Sequence, residues 1–168
     1  MVAFRSMPAG SQAVRSGLDD RPATAADAMA VLLDMSAIVA AADTADLNHA
    51  AAKAWFGRVD EPLLLGALTL GEADHVLQRE LGQPATLALI EALTSGAIRV
   101  VPPTDVDLVR GAALLVEHAE HHPRLSDALL IAAATRLGVR RIATFDRRPL
   151  AVLAPRGPRG ERLLDLEP

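Results

Sequence analysis

The chain has no cysteine and no tyrosine, and only one tryptophan and three phenylalanines among its 168 residues. The missing thiols exclude a disulfide framework, a thiolate metal site and a cysteine nucleophile. They also suit a reducing compartment, so the cytoplasm is the expected location. The shortage of aromatics means that the core must be built from Ala, Leu, Val and Ile. No apolar run approaches the roughly 20 residues that a membrane span needs. The first 28 residues hold no apolar stretch of the kind found in signal peptides. Lysine is nearly absent too, since all basic residues but Lys53 are arginine.

What remains is an ordinary globular composition, 51% apolar and 23% charged, of a size suited to one domain. The net charge of −4 argues against a generally basic nucleic-acid binder. The charge is uneven, however. Residues 136–162 carry eight Arg and two acids, a net of +6, and this stretch is read as a candidate partner surface or as ordinary solvated charge.

Residues 1–28 have scattered Gly and Pro, balanced charge and no periodicity, and read as a disordered extension; residues 29–168 read as the domain. Met29 directly precedes the first apolar run, which raises the expectation that translation begins there, a point that N-terminal sequencing decides. Strands are expected at 30–35, 61–66, 97–101 and 140–144, with a short edge strand at 163–166. Helices are expected over 36–58, 69–81 and 84–94. A further helix follows Pro103, capped by Thr104 or Asp105, with Val106, Val109, Ala113 and Val116 turned inward. Another is capped by Ser126 or Asp127 and ends at Gly138; it carries no charge from Ala128 to Thr135 and should be buried on most sides. Strands alternating with helices imply a three-layer α/β/α fold around a short, mostly parallel sheet of four or five strands. In such sheets, ligands bind beyond the carboxyl ends of the strands.

Four carboxylates fall where that rule makes them informative. Asp34 ends the first strand in VLLDMS, and Asp146 follows the fourth in IATFDRR. Asp127 opens the apolar helix in LSDALLIAA, and Glu72 lies in the first turn of its helix in LTLGEAD. Asp127 alone reads equally as a helix cap, Glu72 as a first-turn charge, and Asp146 as a turn residue. Asp34 is harder to explain by structure, because a carboxylate ending an apolar strand is costly to bury without a cation or several hydrogen bonds.

VLLDMSAIVA, LTLGEAD and LSDALLIAAATRLGVRRIATFD together resemble the PIN-domain family, and within it the VapC branch of toxin–antitoxin pairs, over residues 29–154. The resemblance implies an endoribonuclease dependent on Mg²⁺ or Mn²⁺, with Asp34, Glu72, Asp127 and Asp146 as its catalytic, metal-binding quartet. Products ending in 5′-phosphate and 3′-hydroxyl follow from that chemistry. Hard divalent cations prefer oxygen ligands and activate a bound water for attack on phosphate. The resemblance further implies a VapB-like antitoxin partner, an RNA substrate, a homodimer and no membrane association. Ser36 and Thr144 fill the family's hydroxyl positions, where they would orient ligand carboxylates; both also read as a cap and a strand-end residue. Met35 departs from the Thr or Ser usual at its place, which puts the tuning of the metal site in doubt. Arg147 and Arg148 are candidates for RNA phosphate, or are plain loop charge. His118, His121 and His122 share a helix end but lack the carboxylate signature of a zinc protease.

Two other readings stay open. One is a catalytically silent PIN scaffold that binds a partner or RNA. The other is an aspartate-nucleophile phosphatase or receiver domain; such a phosphatase needs an Asp two residues after Asp34, where this chain has Ser36.

Overall fold

The computed structural model describes residues 24–158 and 164–168. The extension over residues 1–23, the residue Leu163 and the arginines Arg159 and Arg162 of the basic stretch lie outside the described residues.

Three-residue strand β1 (Val31–Leu33) is fully buried and forms the centre of the molecule. On one side it pairs with β2 (Leu63–Gly66), which pairs with β3 (Ile98–Val101). On the other side it pairs with β4 (Arg141–Ala143), which pairs with β5 (Asp165–Glu167). All four ladders are parallel, in the order β3-β2-β1-β4-β5. The sheet thus has five strands, the upper of the two numbers expected, and is parallel throughout, with β5 at one edge.

Parallel strands require crossovers, and helices supply them on both faces. Leu33, Leu63 and Leu65 point into one core layer with Ile38, Trp55, Leu77 and Leu89. Leu32, Leu64 and Ile142 point the other way, against Leu114, Ile131 and Leu150. The first layer is covered by α2 (Met35–Ala42), α3 (His49–Phe56), α4 (Ala67–Leu81) and α5 (Gln83–Thr94). The second is covered by α6 (Asp105–Glu117), α7 (Leu125–Leu137) and α8 (Arg147–Leu153). The α/β/α class follows from this alternation. Among the described residues no helix is long and apolar enough to cross a membrane.

Several local expectations are corrected. Residues 36–58 are two helices, not one. Asp43 leaves α2 with extended backbone, and its side chain accepts from Ala45 N at 2.8 Å, while Asp46 accepts from Asn48 N at 2.6 Å. These two local turns outcompete the helix. Helix α4 begins at Ala67, so Glu72 lies in its second turn.

Helix α6 faces the opposite way from the reading of its valines. Val106, Val109 and Val116 are 67%, 73% and 79% exposed, and Ala113 is exposed as well. Its buried face is Asp107, Gly111 and Leu114. The charge of Asp107 is tolerated there because Arg136 of α7 donates to both its oxygens, at 3.0 and 2.8 Å, and Thr104 completes a capping box. Helix α7 begins at Leu125 with Arg124 as its cap residue, so neither Ser126 nor Asp127 caps it.

Residues 24–28, read as part of the extension, include a short helix, α1 (Ala25–Ala28). Its Asp27 is buried, accepts from Thr24 N at 2.8 Å and pairs with Arg99. The basic stretch is partly consumed by structure too. Arg136 is committed to Asp107, and Arg141 holds Glu61 and Glu167 together at the sheet edge.

Candidate metal centre

The carboxyl ends of β1 and β4 lie side by side, because Leu33 is paired with Ala143. The residues that follow, Asp34 and Thr144, are therefore neighbours. Asp34 is 5% exposed and Thr144 is 1% exposed. Thr144 Oγ1 donates to Asp34 Oδ2 at 2.8 Å, and Ser36 Oγ donates to the same oxygen at 2.5 Å. The backbone N–H of Ser36 reaches it at 3.3 Å, as an N-cap contact of α2.

Each hydroxyl has one proton, and both protons are spent on Asp34. The hydroxyl lone pairs then receive backbone donors from the next loop. Phe145 N donates to Ser36 Oγ at 2.9 Å, and Asp146 N donates to Thr144 Oγ1 at 3.0 Å. Asp34 and Asp146 are thus tied through two hydroxyls. One oxygen of Asp34 carries every bond, which leaves Oδ1 without a partner among the described residues.

Asp127 enters from the first turn of α7 and is 3% exposed. Arg124 grips it through Nε at 3.2 Å and Nη2 at 3.3 Å. Glu72 reaches in from α4 and accepts from Ser126 Oγ at 2.7 Å. Burial above all pushes the Asp127 carboxyl above its ordinary value; Arg124 opposes this, and the charges of Asp34 and Glu72 push it further up. Asp34, Glu72 and Asp127 therefore share one electrostatic site. The guanidinium of Arg124, raised in turn by Asp127, Glu72 and Asp34, is its counter-charge.

The exposed Asp146 lies in the turn between β4 and α8. It and Asp127 line one cleft of about 470 Å³, together with Arg124 and Arg148. Arg147 instead donates to the backbone oxygen of Pro168.

The structure thus brings all four sequence-selected acids to the carboxyl end of the sheet, but not into one cage. Among the described residues no three His, Asp or Glu side chains are grouped closely enough to hold a metal ion. The donor chemistry nevertheless fits a hard divalent cation. The free oxygens are carboxylate, cysteine thiolates are absent, and Mg²⁺ commonly keeps several waters between itself and its protein ligands. Sequence reasoning missed Arg124 and Ser126. Their signal lies in RLSD itself, three residues and one residue before Asp127, but nothing in a single sequence separates such neighbours from surface residues.

Comparison with known proteins agrees with this architecture. The family model described as PIN domain matches residues 31–154. Ribonuclease VapC39 of Mycobacterium tuberculosis is 32% identical over 125 residues, which cover 70% of this chain and 89% of the relative. Ribonuclease VapC26 of the same organism is 26% identical over 127 residues, 76% of this chain and 94% of the relative. Among solved structures, the sarcin-ricin loop cleaving toxin VapC20 of M. tuberculosis superposes with a TM-score of 0.67 at 24% identity, covering 72% of this chain and 93% of that one. FitAcB from Neisseria gonorrhoeae superposes with a TM-score of 0.60 at 18% identity, covering 82% and 96%. Five parallel strands in this order, acids at their carboxyl ends and a family match across most of the domain lead to one conclusion: the chain belongs to the PIN-domain family and is related to the VapC-type toxins of toxin–antitoxin systems.

Proposed function

We propose that this protein is a divalent-metal-dependent endoribonuclease of the VapC type, a toxin that hydrolyses RNA phosphodiester bonds. The observation that carries the reading is the Asp34 carboxylate, buried at a strand end with one oxygen saturated by Ser36 and Thr144 and the other left free. The open oxygen is not buried away from solvent, so an ion can reach it.

In this reading Asp34, Glu72, Asp127 and Asp146 hold Mg²⁺ or Mn²⁺. When bound, the ion supplies an activated water and neutralises charge developing on the phosphate. Ser36 and Thr144 hold the Asp34 carboxylate in one orientation, so the ligand oxygen pays little ordering entropy on binding. Ser126 does the same for Glu72. Arg124 offsets part of the mutual repulsion of the acids and, with Arg148, presents guanidinium donors at the cleft rim where an RNA phosphate docks. The attacking group is water, so no side-chain nucleophile is needed. A VapB-like antitoxin, a homodimeric assembly and a cytoplasmic location belong to the same proposal.

A second reading is a silent scaffold that binds RNA or a partner without cleaving. It is favoured by the ion pair of Arg124 with Asp127 and by the absence of three grouped ligands among the described residues. Inducible expression of wild type beside Asp34→Ala, with RNA ends mapped, separates the two. New 5′-phosphate ends with growth arrest in the wild type alone carry the nuclease reading. Mn²⁺ stabilisation without cleavage of any RNA selects the scaffold.

A further inference from the structure

We propose that the cleft beside Asp127 and Asp146 is a subsite for one unpaired RNA base, stacked on the His121–His122–Pro123 wall and selected as guanine by Glu120. This rests on the ribonuclease reading, since it assumes that single-stranded RNA approaches the acids.

The cleft's about 470 Å³ lies within the range typical of small-molecule sites. Its lining combines two chemistries. Asp127, Asp146, Arg124 and Arg148 supply charge, suited to a phosphate and its counter-ion. Pro149 and Val152 supply apolar surface. A nucleotide has that same division between a charged phosphate and a flat, weakly polar base.

The histidine wall is held in an unusual way. Helix α6 ends at His118, a single 3₁₀ turn spans Ala119–His121, and His122 then adopts left-handed backbone with φ 49° and ψ 51°. His122 is the sole non-glycine with positive φ among the described residues. Glycine would hold this conformation without steric cost, and strained residues concentrate at ligand sites. The imidazole makes no hydrogen bond among the described residues, so its side chain contributes nothing visible to the turn that it strains. What it adds is an exposed ring in a cleft, next to the fixed ring of Pro123. Proteins that read single-stranded RNA stack splayed-out bases on such rings.

Glu120 supplies the selection. Glu120 lines the same cleft, and its Oε1 lies 3.5 Å from His121 Nε2, beside the stacking wall. A carboxylate only accepts hydrogen bonds. Guanine alone presents two adjacent donors, N1–H and the N2 amino group, on its Watson–Crick edge. Adenine, cytosine and uracil each present one donor group there.

The test is fluorescence anisotropy with the full chain carrying Asp34→Asn, which prevents cleavage. The probes are short labelled oligouridylates with a single central guanosine, adenosine or cytidine. The guanosine probe should bind roughly tenfold tighter than the others, as a two-point base contact gives. Glu120→Gln should erase that preference. His122→Gly should weaken all three probes several-fold while the melting temperature holds or rises, because glycine relieves the left-handed backbone. Equal affinity for the three probes, or variants that bind like their parent, overturns the subsite. The two readings fail separately: RNA-end mapping with the wild-type chain in Mn²⁺ that shows cleavage with no base preference sinks the subsite and keeps the nuclease, whereas a guanosine preference in binding without cleavage of any RNA keeps the subsite and sinks the nuclease.

Discussion

Thr144→Val removes one hydroxyl and almost no volume, so it isolates what that hydroxyl does. Three contacts change. Asp34 Oδ2 loses a donor at 2.8 Å, Ser36 Oγ loses its 3.1 Å neighbour, and Asp146 N loses an acceptor at 3.0 Å. A hydrogen bond to a charged group contributes about 1.5–3 kcal/mol. The lower part of that range applies here, because Ser36 Oγ still serves Asp34 at 2.5 Å and still accepts from Asp146 N at 3.3 Å. The expected loss is therefore about 1.5–2 kcal/mol, a fall in Tm of roughly 3–8 °C for a chain of this size. Thr144→Ser keeps the hydroxyl and gives up one buried methyl, about 1 kcal/mol. Thermal melts followed by circular dichroism, with and without Mn²⁺, read both effects. The Mn²⁺-induced stabilisation should survive in the serine variant and shrink in the valine variant, whose Asp34 carboxylate is held by Ser36 alone. A valine variant as stable as wild type, or a serine variant that loses the Mn²⁺ response equally, refutes the role given to this hydroxyl.

Other outcomes follow from the same structure. Burial first, then the neighbouring acids, raise the Asp127 carboxyl above its unfolded value of 3.8 against the pull of Arg124. Its favourable contribution is therefore complete below that value and is lost as pH rises through the folded value. Urea midpoints should show Asp127→Asn gaining on wild type as pH climbs from about 3.8, with a flat difference across that interval counting against the shift. Arg136→Met leaves Asp107 buried with Thr104 alone, and urea unfolding should lose about 3–5 kcal/mol. A chain begun at Met29 lacks the buried Asp27 that Arg99 engages and should melt below the full chain; equal melting would show that the contact adds no stability.

Much of this molecule is legible in its sequence because parallel strands buried on both faces read as short apolar runs. Those at β1, β2, β3 and β4 announce themselves, and the strand-end rule then locates Asp34 and Asp146. The failures have physical causes. The break at 43–48 hides in an Ala-rich segment, where Asp43 and Asp46 turn the backbone through their own side chains. The valines of α6 mislead because the buried face includes an aspartate, neutralised by an arginine 29 residues away. No window of sequence contains that compensation. The same limit applies at the site: Arg124 grips Asp127 and Ser126 holds Glu72 through contacts set by tertiary placement, and RLSD alone does not say which side chains face the acids.

One ladder carries an obligation beyond stability. Leu33 opposite Ala143 is the alignment that brings Asp34 to Thr144, and strand registers are quantised: a slip by a single position turns every side chain to the other face. The first member of the acid group is translated before its hydroxyl partner and Asp146, which follow more than a hundred residues later. On the nuclease reading, a nascent chain therefore lacks half of its active centre until Asp127 and Asp146 have both been added.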